Sequence, residues 1–428
     1  MSKTNENKLV PKLRFPEFKN IGEWVNKRLD EICKFVRGPF GGALKKEIFT
    51  SDGYAVYEQS HAIYADFSSF RYFITEEKYN ELKRFAVQPN DIIMSCSGTM
   101  GKFAIVPVYS KKGVINQALL KLTVNTRNDT QFIKASLELP LNQNKLLSQS
   151  AGGALKNVVE VAQIKKINLL IPTLPEQQKI ASCLSSLDEV ITAESQKLEL
   201  YQQHKKGLLQ NLFPKAGETV PKFRFKEFED SGEWKSDIAK NVFSIFQGFA
   251  FSSNDSVDNG VRWLKIADVG IQQINHQSPS YLPIEFKEKY KDFLVKEGDY
   301  VIALTRPILN KKLKISKVDN ILNESLLNQR VGKLISNECI DFVYYLLQTS
   351  KLISTIEQNI AGSEPPNLST QQIENIEVCI PSTIEEQQKI AACLSSLDDL
   401  INAQRQKIEL LKQHKKGLLQ GLFPPINN

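Results

Sequence analysis

Two short segments contain residue types that could bind a cofactor or a nucleotide. Residues 364–367 read Glu-Pro-Pro-Asn, which approaches the Asn/Asp-Pro-Pro-aromatic tetrad of DNA amino-methyltransferases, but the aromatic residue is missing and no Gly-rich cofactor loop accompanies it. Residues 97–102 read Ser-Gly-Thr-Met-Gly-Lys, like part of a phosphate-binding loop. However, Cys96 stands at the first glycine position of GxxxxGK, and Phe103 replaces its Ser/Thr. The sequence therefore predicts no catalytic residues and no bound cofactor.

The histidines and cysteines lack the spacing of metal ligands. The four histidines are His61, His204, His276 and His414, and the six cysteines include no CxxC pair, so we predict free thiols and no metal site. A content of 41% hydrophobic and 24% charged residues in 428 is typical of a globular chain with more than one domain. The formal net charge of +7 permits a polyanionic partner at a local basic surface. Since neither a membrane-spanning apolar run nor a signal core is recognisable, we predict a cytoplasmic protein without a membrane partner.

The chain repeats two of its segments at one offset. The segments PKLRFPEFKNIGEW, from Pro11, and PKFRFKEFEDSGEW, from Pro221, begin 210 residues apart. Residues 176–214 and 386–424 are separated by the same 210 positions, and 29 of their 39 aligned residues are identical. The intervening sequences have little in common. A duplicated scaffold with divergent inserts indicates a chain that presents two different recognition domains at a fixed separation.

Each 39-residue block has the pattern of a long amphipathic helix. Apolar residues recur at alternating spacings of four and three, as in the seam of a coiled coil. Thr173 with Glu176, and Thr383 with Glu386, have capping-box spacing, and a Phe-Pro pair ends each block. The predicted seam includes Ile180, Leu184, Leu187, Ile191, Leu198, Ile390, Leu394, Leu397, Ile401 and Ile408.

The two helices are predicted to pair with each other. A single helix of this kind, roughly 55 Å long at about 1.5 Å per residue, is not stable alone, and the second copy is the nearest partner. Glu194, Lys205, Gln404 and Lys415 interrupt the seam, and polar residues at such positions can fix register and orientation. A plain dimerisation coiled coil remains the alternative.

The segments outside the helices have landmarks in the same order, which predicts two versions of one domain. PNDIIMSCSGTMGKFAIV, from Pro89, corresponds to EGDYVIALTRPILNKKLKI, from Glu297, and INQALLKLTVN corresponds to LNQRVGKLISN. The expected fold class is α+β, with two mixed α/β domains separated by two long helices that form an antiparallel intramolecular coiled coil with pseudo-twofold symmetry. The predicted boundaries are 1–175 for the first domain, 176–214 for the first helix, 215–385 for the second domain, and 386–428 for the second helix and tail.

This order of segments resembles the specificity (S) subunit of type I restriction-modification systems along essentially the whole chain. The PKLRFPEF opening, the LPEQQKIA start of the helix and its HKKGLLQ end carry the resemblance. It implies that each variable domain is a target recognition domain that reads one half of a split, asymmetric double-stranded DNA sequence, with the helices as spacer. It also implies that the subunit is not catalytic, binds two methyltransferase (M) subunits, and reaches the restriction (R) subunits through the resulting M2S core.

Both variable domains contain loops suited to DNA recognition. Base readout in the major groove needs Arg, Lys, Asn or Gln on loops or strand ends, with further basic and hydroxyl groups on phosphates. The predicted DNA-binding residues are Arg37, Lys45, Lys46, Gln59, His61, Ser97, Thr99 and Lys102 in the first domain, and Gln247, Ser252, Arg262, Lys265, Thr305, Arg306 and Lys311 in the second.

Another class of function is compatible with the modest net charge. A bivalent protein-binding adaptor with a coiled-coil spacer would show the same duplication. A mobility shift of random duplex DNA in the presence of the M partner separates this alternative from a DNA-recognition subunit. A single-chain restriction enzyme is disfavoured, because neither nuclease nor methyltransferase motifs are recognisable.

Overall fold

The computed structural model describes residues 9–40, 42–148, 161–360 and 366–425. The chain forms two compact units, one of Met1–Ser195 with Lys407–Asn428 and the other of Gln196–Gln406. The division passes through the middle of each long helix, so each unit contains one variable domain, the first part of one helix and the last part of the other. The first two residues of the Glu-Pro-Pro-Asn tetrad and all of its counterpart at 154–157 lie outside the described residues.

The variable domain of the first unit is built from two small sheets beside a two-stranded ladder. Its strands are β1 (Val25–Arg28), β2 (Cys33–Arg37), β3 (Tyr54–Tyr57), β4 (Phe73–Ile74), β5 (Ile92–Ser95), β6 (Phe103–Ile105), β7 (Gly113–Ile115), β8 (Leu119–Val124) and β9 (Asn168–Ile171). Its helices are α1 (Leu29–Ile32), α2 (Gln59–Tyr64), α3 (Glu76–Glu81), α4 (Thr130–Glu138), α5 (Pro140–Ser148), α6 (Val161–Lys165) and the start of α7 (Leu174–Asn211). The strand orders are β2-β8-β5-β6 and β4-β3-β7, and β1 pairs with β9.

The second unit has the same plan with one additional hairpin. Its strands are β10 (Lys235–Ile238), β11 (Phe243–Gln247), β12 (Val261–Leu264), β13 (Tyr281–Leu282), β14 (Leu294–Val295), β15 (Tyr300–Ala303), β16 (Ile308–Leu309), β17 (Lys312–Leu313), β18 (Ile315–Lys317), β19 (Ser325–Leu327), β20 (Val331–Ser336) and β21 (Glu377–Ile380). Its helices are α8 (Ala239–Val242), α9 (Phe286–Lys289), α10 (Ile340–Leu346), α11 (Ser350–Ile360), α12 (Thr370–Glu374) and α13 (Ile384–Leu422). The strand orders are β11-β20-β15-β18 and β13-β12-β19-β14, with β10 paired to β21 and β16 to β17.

In each variable domain a two-stranded antiparallel ladder joins the first strand to the last. Next to the β1–β9 pair, the Leu29 N–H donates to the Ile167 carbonyl at 2.9 Å, and next to the β10–β21 pair the Ala239 N–H donates to the Ile376 carbonyl at 2.8 Å. The central strands are buried on both faces, as the all-buried β5 and β15 show, which explains their continuous apolar sequences. The prediction of two mixed α/β domains and two long helices is confirmed.

The two long helices pair antiparallel within each unit. In the first unit Ile180 and Leu184 of α7 share a core with Leu422 of α13, and in the second unit Leu212 shares a core with Ile390. The buried members of the predicted seam are Ile180, Leu184, Ile390, Leu394, Leu397, Ile401 and Ile408, and the half-buried ones are Leu187, Ile191 and Leu198. None of the described helices combines the length and apolarity that crossing a bilayer requires.

Three of the four polar residues of the predicted seam form ion pairs between the helices. Lys205 lies 2.6 Å from Asp398 in the second unit. In the first unit its counterpart Lys415 lies 2.5 Å from Asp188, the counterpart of Asp398. Lys407 pairs with Glu194. Because each pair joins one position of α7 to one position of α13, these contacts favour one antiparallel register.

Candidate nucleic-acid interface

Several chain segments of the first variable domain meet at one edge of its sheets. Strands β2, β3, β5 and β7 all end there, and backbone hydrogen bonds join the residues that follow them. The Gly38 N–H donates to the Leu119 carbonyl at 3.0 Å, and the Cys96 N–H donates to the Ala118 carbonyl at 2.8 Å. The predicted DNA-binding residues that this edge brings together are Arg37, Gln59, Ser97 and Thr99. Loops held by strand ends in this way commonly carry binding residues.

Gln59 holds the loop that follows β5. Its Nε2 donates to the carbonyls of Ser97 and Thr99, the latter at 3.1 Å, and the Ser97 hydroxyl donates to its Oε1 at 3.2 Å. At the end of the loop the Lys102 N–H donates to the Ser95 hydroxyl at 3.0 Å. The amide of Gln59 is thus occupied within the domain, and its structural effect is to present the exposed Thr99 and Lys102.

His61 and Arg262 are also engaged internally. His61 is 4% exposed, its Nδ1 accepts the Glu58 N–H at 2.9 Å, and its ring stacks on Phe70. Arg262 forms a buried ion pair with Asp268 at 2.9 Å. Both side chains are placed to shape the domain. A DNA contact by either one stays a prediction that would require rearrangement.

The basic side chains of the first edge differ in exposure. Lys45 and Lys46 are exposed at the start of a 3-10 turn. Arg37 is half-buried with its guanidinium 5.7 Å from the ring of Phe40, and its NH1 atom is buried without a described partner. Burial raises the pKa of the adjacent Cys96 thiol to about 11, although the Arg37 charge acts in the opposite direction. Cys96 is therefore a packing residue that stays protonated at neutral pH.

The second variable domain forms the equivalent edge with different side chains. The Gly248 N–H donates to the Val331 carbonyl at 3.0 Å, and the Asn328 N–H donates to the Leu264 carbonyl at 3.1 Å. The predicted residues at this edge are Gln247, Lys265, Thr305 and Arg306. Arg306 is exposed, with its φ of 47° in the left-handed region, and the Lys265 ammonium lies 3.9 Å above the ring of Trp263.

The two remaining predicted residues of the second domain lie on other loops. Ser252 caps a 3-10 turn, where its hydroxyl accepts the Asn254 N–H at 3.2 Å. Lys311 lies at the tip of the β16–β17 hairpin. The loop residues around the two edges are therefore specific to each domain, whereas the backbone that holds them is shared.

A shared Asn-Gln turn occupies the centre of both edges and was not among the predicted DNA-binding residues. The side chains of Asn116 and Asn328 each accept the N–H two residues later at 3.0 Å, which fixes the turn. A Cβ on Gly38 would lie 1.8 Å from the Asn116 carbonyl oxygen, so this position requires glycine. The following Gln117 and Gln329 are exposed. In the sequence, the correspondence of INQ at 115–117 with LNQ at 327–329 indicates that the two domains share this turn. It does not indicate that the glutamine is exposed.

The repeated N-terminal and helical blocks form one buried ion-pair cluster in each unit. Arg14 holds Glu176 with two hydrogen bonds of 2.8 Å, and the Trp24 indole donates to the same carboxylate at 3.3 Å. The counterparts Arg224, Glu386 and Trp234 repeat these contacts at 2.8, 2.7 and 3.2 Å. The carboxylate predicted to serve a capping box instead binds the arginine and tryptophan of the other repeated block. We call each cluster, with the helix start that carries it, a platform.

Comparison with known proteins identifies the family. The sequence profile described as "Type I restriction modification DNA specificity domain" matches residues 21–203 and again residues 232–413. The chain belongs to this family. Each match includes one variable domain and most of the helix that follows it, and the chain is a DNA target-recognition subunit.

Full-length relatives support the same assignment. This specificity subunit is 29% identical to the "Type I restriction enzyme MjaVIII specificity subunit" of Methanocaldococcus jannaschii over 416 residues, which cover 96% of this chain and 93% of that protein. It is 24% identical to the EcoAI specificity subunit of Escherichia coli over 322 residues, which cover 72% and 51% of the two chains. The crystal structure of the S subunit from M. genitalium has the same fold, with a TM-score of 0.63 at 16% identity over 98% of this chain and 100% of that one.

Proposed function

We propose that this subunit recognises a bipartite, asymmetric DNA sequence, one half with each variable domain, and that it contributes no catalytic residue itself. The observation that carries the proposal is the contrast at the two edges. Gly38 and Gly248, and the turns at Asn116 and Asn328, keep the backbone alike, while the loops around them differ in length and charge. A common frame with different contact residues suits two domains that read different bases.

The exposed faces of the two repeated helices, with the platforms that fix their starts, are the proposed docking surfaces for M subunits. Two identical partners need two equivalent surfaces, and the platforms are where the two units retain the same residues and contacts. The M subunits would transfer the methyl group, and R subunits would join through the M2S core. Double-stranded DNA, two M subunits and the R subunits are therefore the proposed partners.

An exchange of one variable domain tests whether the variable domains determine the DNA sequence while the repeated segments bind M. Residues 239–376 are replaced by the corresponding segment of another specificity subunit, which leaves the β10–β21 ladder and both platforms intact. The matched variant exchanges residues 29–167 inside the β1–β9 ladder. The methylated motif is then read from genomic DNA of cells that express each chimera with its M subunit.

Each exchange should change one half of the motif and leave the other half unaltered, and the two chimeras should alter opposite halves. Copurification of M with both chimeras should persist. A chimera that changes both halves, or a folded chimera that no longer binds M, would contradict the proposal.

A further inference from the structure

A cavity of about 600 Å³ lies in the second unit between the variable domain and the helix segments of the same unit. Its walls include residues 199–209 of α7, residues 401–405 of α13 and residues 311–313 of the β16–β17 hairpin, and Gln272 and Gln348 close another side. This volume is within the range of small-ligand sites, roughly 300 to 1,000 Å³.

Cationic side chains outnumber acidic ones in the cavity wall. Glu199 and Glu357 are its carboxylates, and Glu199 already accepts a hydrogen bond from Gln203 at 3.1 Å. Within the described ranges, four lining cations have no carboxylate within 4 Å. These four are Lys206, Lys311, Lys312 and Arg405, all of them exposed.

The floor of the cavity contains a buried, paired lysine that is repelled by two neighbouring cations. Lys205 is 5% exposed and pairs with Asp398, which also accepts a hydrogen bond from the Tyr345 hydroxyl at 2.8 Å. Burial lowers the pKa of Lys205, and the charges of Arg405 and Lys312 lower it further, against the opposing effect of Asp398. An anion in the cavity would relieve this repulsion.

The β16–β17 hairpin holds two of the cations in place. Asn310 and Lys311 have φ values of 51° and 57°, as in a two-residue type I′ turn. Leu313 is 2% exposed and belongs to the core shared with the helices. Because this anchor fixes the hairpin, Lys311 and Lys312 are presented from a rigid element.

The first unit does not repeat this arrangement. The Lys415–Asp188 pair has side chains 27% and 51% exposed, against 6% and 22% for Lys205–Asp398, since Ala135 stands where the second unit has Tyr345. Ser195 occupies the position of Arg405. The connection Cys96–Lys102 is four residues shorter than its counterpart Leu304–Lys314 and lacks the hairpin.

We propose that the cavity binds a backbone phosphate of the unspecified DNA between the two half-sites, next to the half read by the second variable domain. The proposal rests on the bipartite recognition inferred above. A surface for two identical M subunits should recur in both units, whereas the described part of the first unit lacks the hairpin, the tyrosine and the arginine that line or support this cavity, which favours a polyanion other than M. Lysine and arginine donors without carboxylate partners are the groups that neutralise DNA phosphates.

The test combines a neutral-phosphate scan with a charge variant. Target duplexes carry single methylphosphonate linkages at successive positions of the spacer, and binding is measured with the complex that contains M. The variant is Lys312→Gln with Arg405→Ser, the serine being the residue of the first unit. The matched control, Lys412→Gln with Lys416→Gln, removes the same charge from exposed residues of the first unit.

One or two linkages on the side of the second half-site should weaken wild-type binding roughly tenfold, as expected for a lost hydrogen bond to a charged group. The same linkages should have little effect on the variant, whereas the control should respond like the wild type. The variant should also reduce the slope of log affinity against log salt by about 0.9, the share of one phosphate.

Other results would overturn the proposal. A flat scan, or equal losses in wild type and variant at the same linkage, would show that no spacer phosphate occupies the cavity. Loss of M from the variant complex would identify an acidic surface of M as the occupant. A flat scan together with wild-type-specific thermal stabilisation by inorganic phosphate alone would indicate a free ion. If the domain exchanges still change one half-site each, these results refute only the assignment of the cavity and leave the proposed bipartite recognition intact.

Discussion

At the scale of single residues, the most demanding contacts are the buried ion pairs of the platforms. The side chains of Arg224 and Glu386 are 7% and 1% exposed, and the hydrogen bonds that Arg224 donates to Glu386 raise the pKa of Arg224. Two charges lose their hydration in such a site, so every remaining donor and acceptor must be satisfied. The Trp234 indole supplies the third hydrogen bond to the carboxylate. These contacts therefore fix the segment that begins at Pro221, the second copy of the N-terminal repeat, against the start of α13.

The substitution Glu386→Gln should lower the free energy of unfolding by about 3 kcal/mol, because it leaves Arg224 buried without its counter-charge. The measurement is the urea unfolding curve of the isolated chain. The matched control is Lys389→Gln, one turn further along α13, which removes the exposed pair with Glu227 and should leave the unfolding curve nearly unchanged, because solvent screens this pair. Equal destabilisation by both substitutions would show that the buried pair has no special role.

At the scale of elements, the polar positions of the seam distinguish the two ends of the helix pair. Lys205 and Lys415 are repeat equivalents, yet the first is buried under Tyr345 and the second is partly exposed. The two equivalent ion pairs should therefore contribute differently to the free energy of unfolding. The variable domain packed against the helices, rather than the helix sequence, sets this difference.

Asp398→Asn should destabilise the chain by about 3 kcal/mol, since Lys205 would lose the carboxylate that offsets the cost of its burial. The equivalent Asp188→Asn should cost below about 1 kcal/mol, because solvent screens Lys415. Thermal or urea unfolding of the two variants gives the comparison. A larger loss for Asp188→Asn would contradict the difference in burial.

The elements were more predictable from the sequence than the site. A 39-residue periodic block that ends in Phe-Pro defines a helix locally, and α7 and α13 end at Asn211 and Leu422, just before those pairs. The Arg14–Glu176 contact joins residues 162 positions apart, so no local pattern could reveal it. Residue type also does not determine exposure, which is why the burial of His61 and the exposure of Gln117 emerged from the fold.

At the scale of the whole molecule, the chain combines duplication with divergence. Both long helices cross the boundary between the compact units, so each unit depends on segments from distant parts of the sequence. The platforms repeat nearly the same distances, while the cavity beside the β16–β17 hairpin belongs to the second unit. Repeated surfaces suit identical protein partners, whereas loops that differ between the two variable domains suit the two halves of an asymmetric DNA sequence.

If α7 and α13 separate the two recognition domains, lengthening both helices should lengthen the DNA spacer. Four residues inserted between Ala193 and Leu198 of α7 add about 6 Å, close to two base pairs at ~3.4 Å each. This insertion alone cannot preserve both Lys205–Asp398 and Lys415–Asp188, so a matching insertion between Gln404 and Lys407 of α13 is required. The readout is the number of unspecified bases between the methylated half-sites in cells that express each variant. The paired insertion should lengthen the spacer with both half-sites unchanged, while an active paired variant with the original spacer would show that the M subunits set the distance.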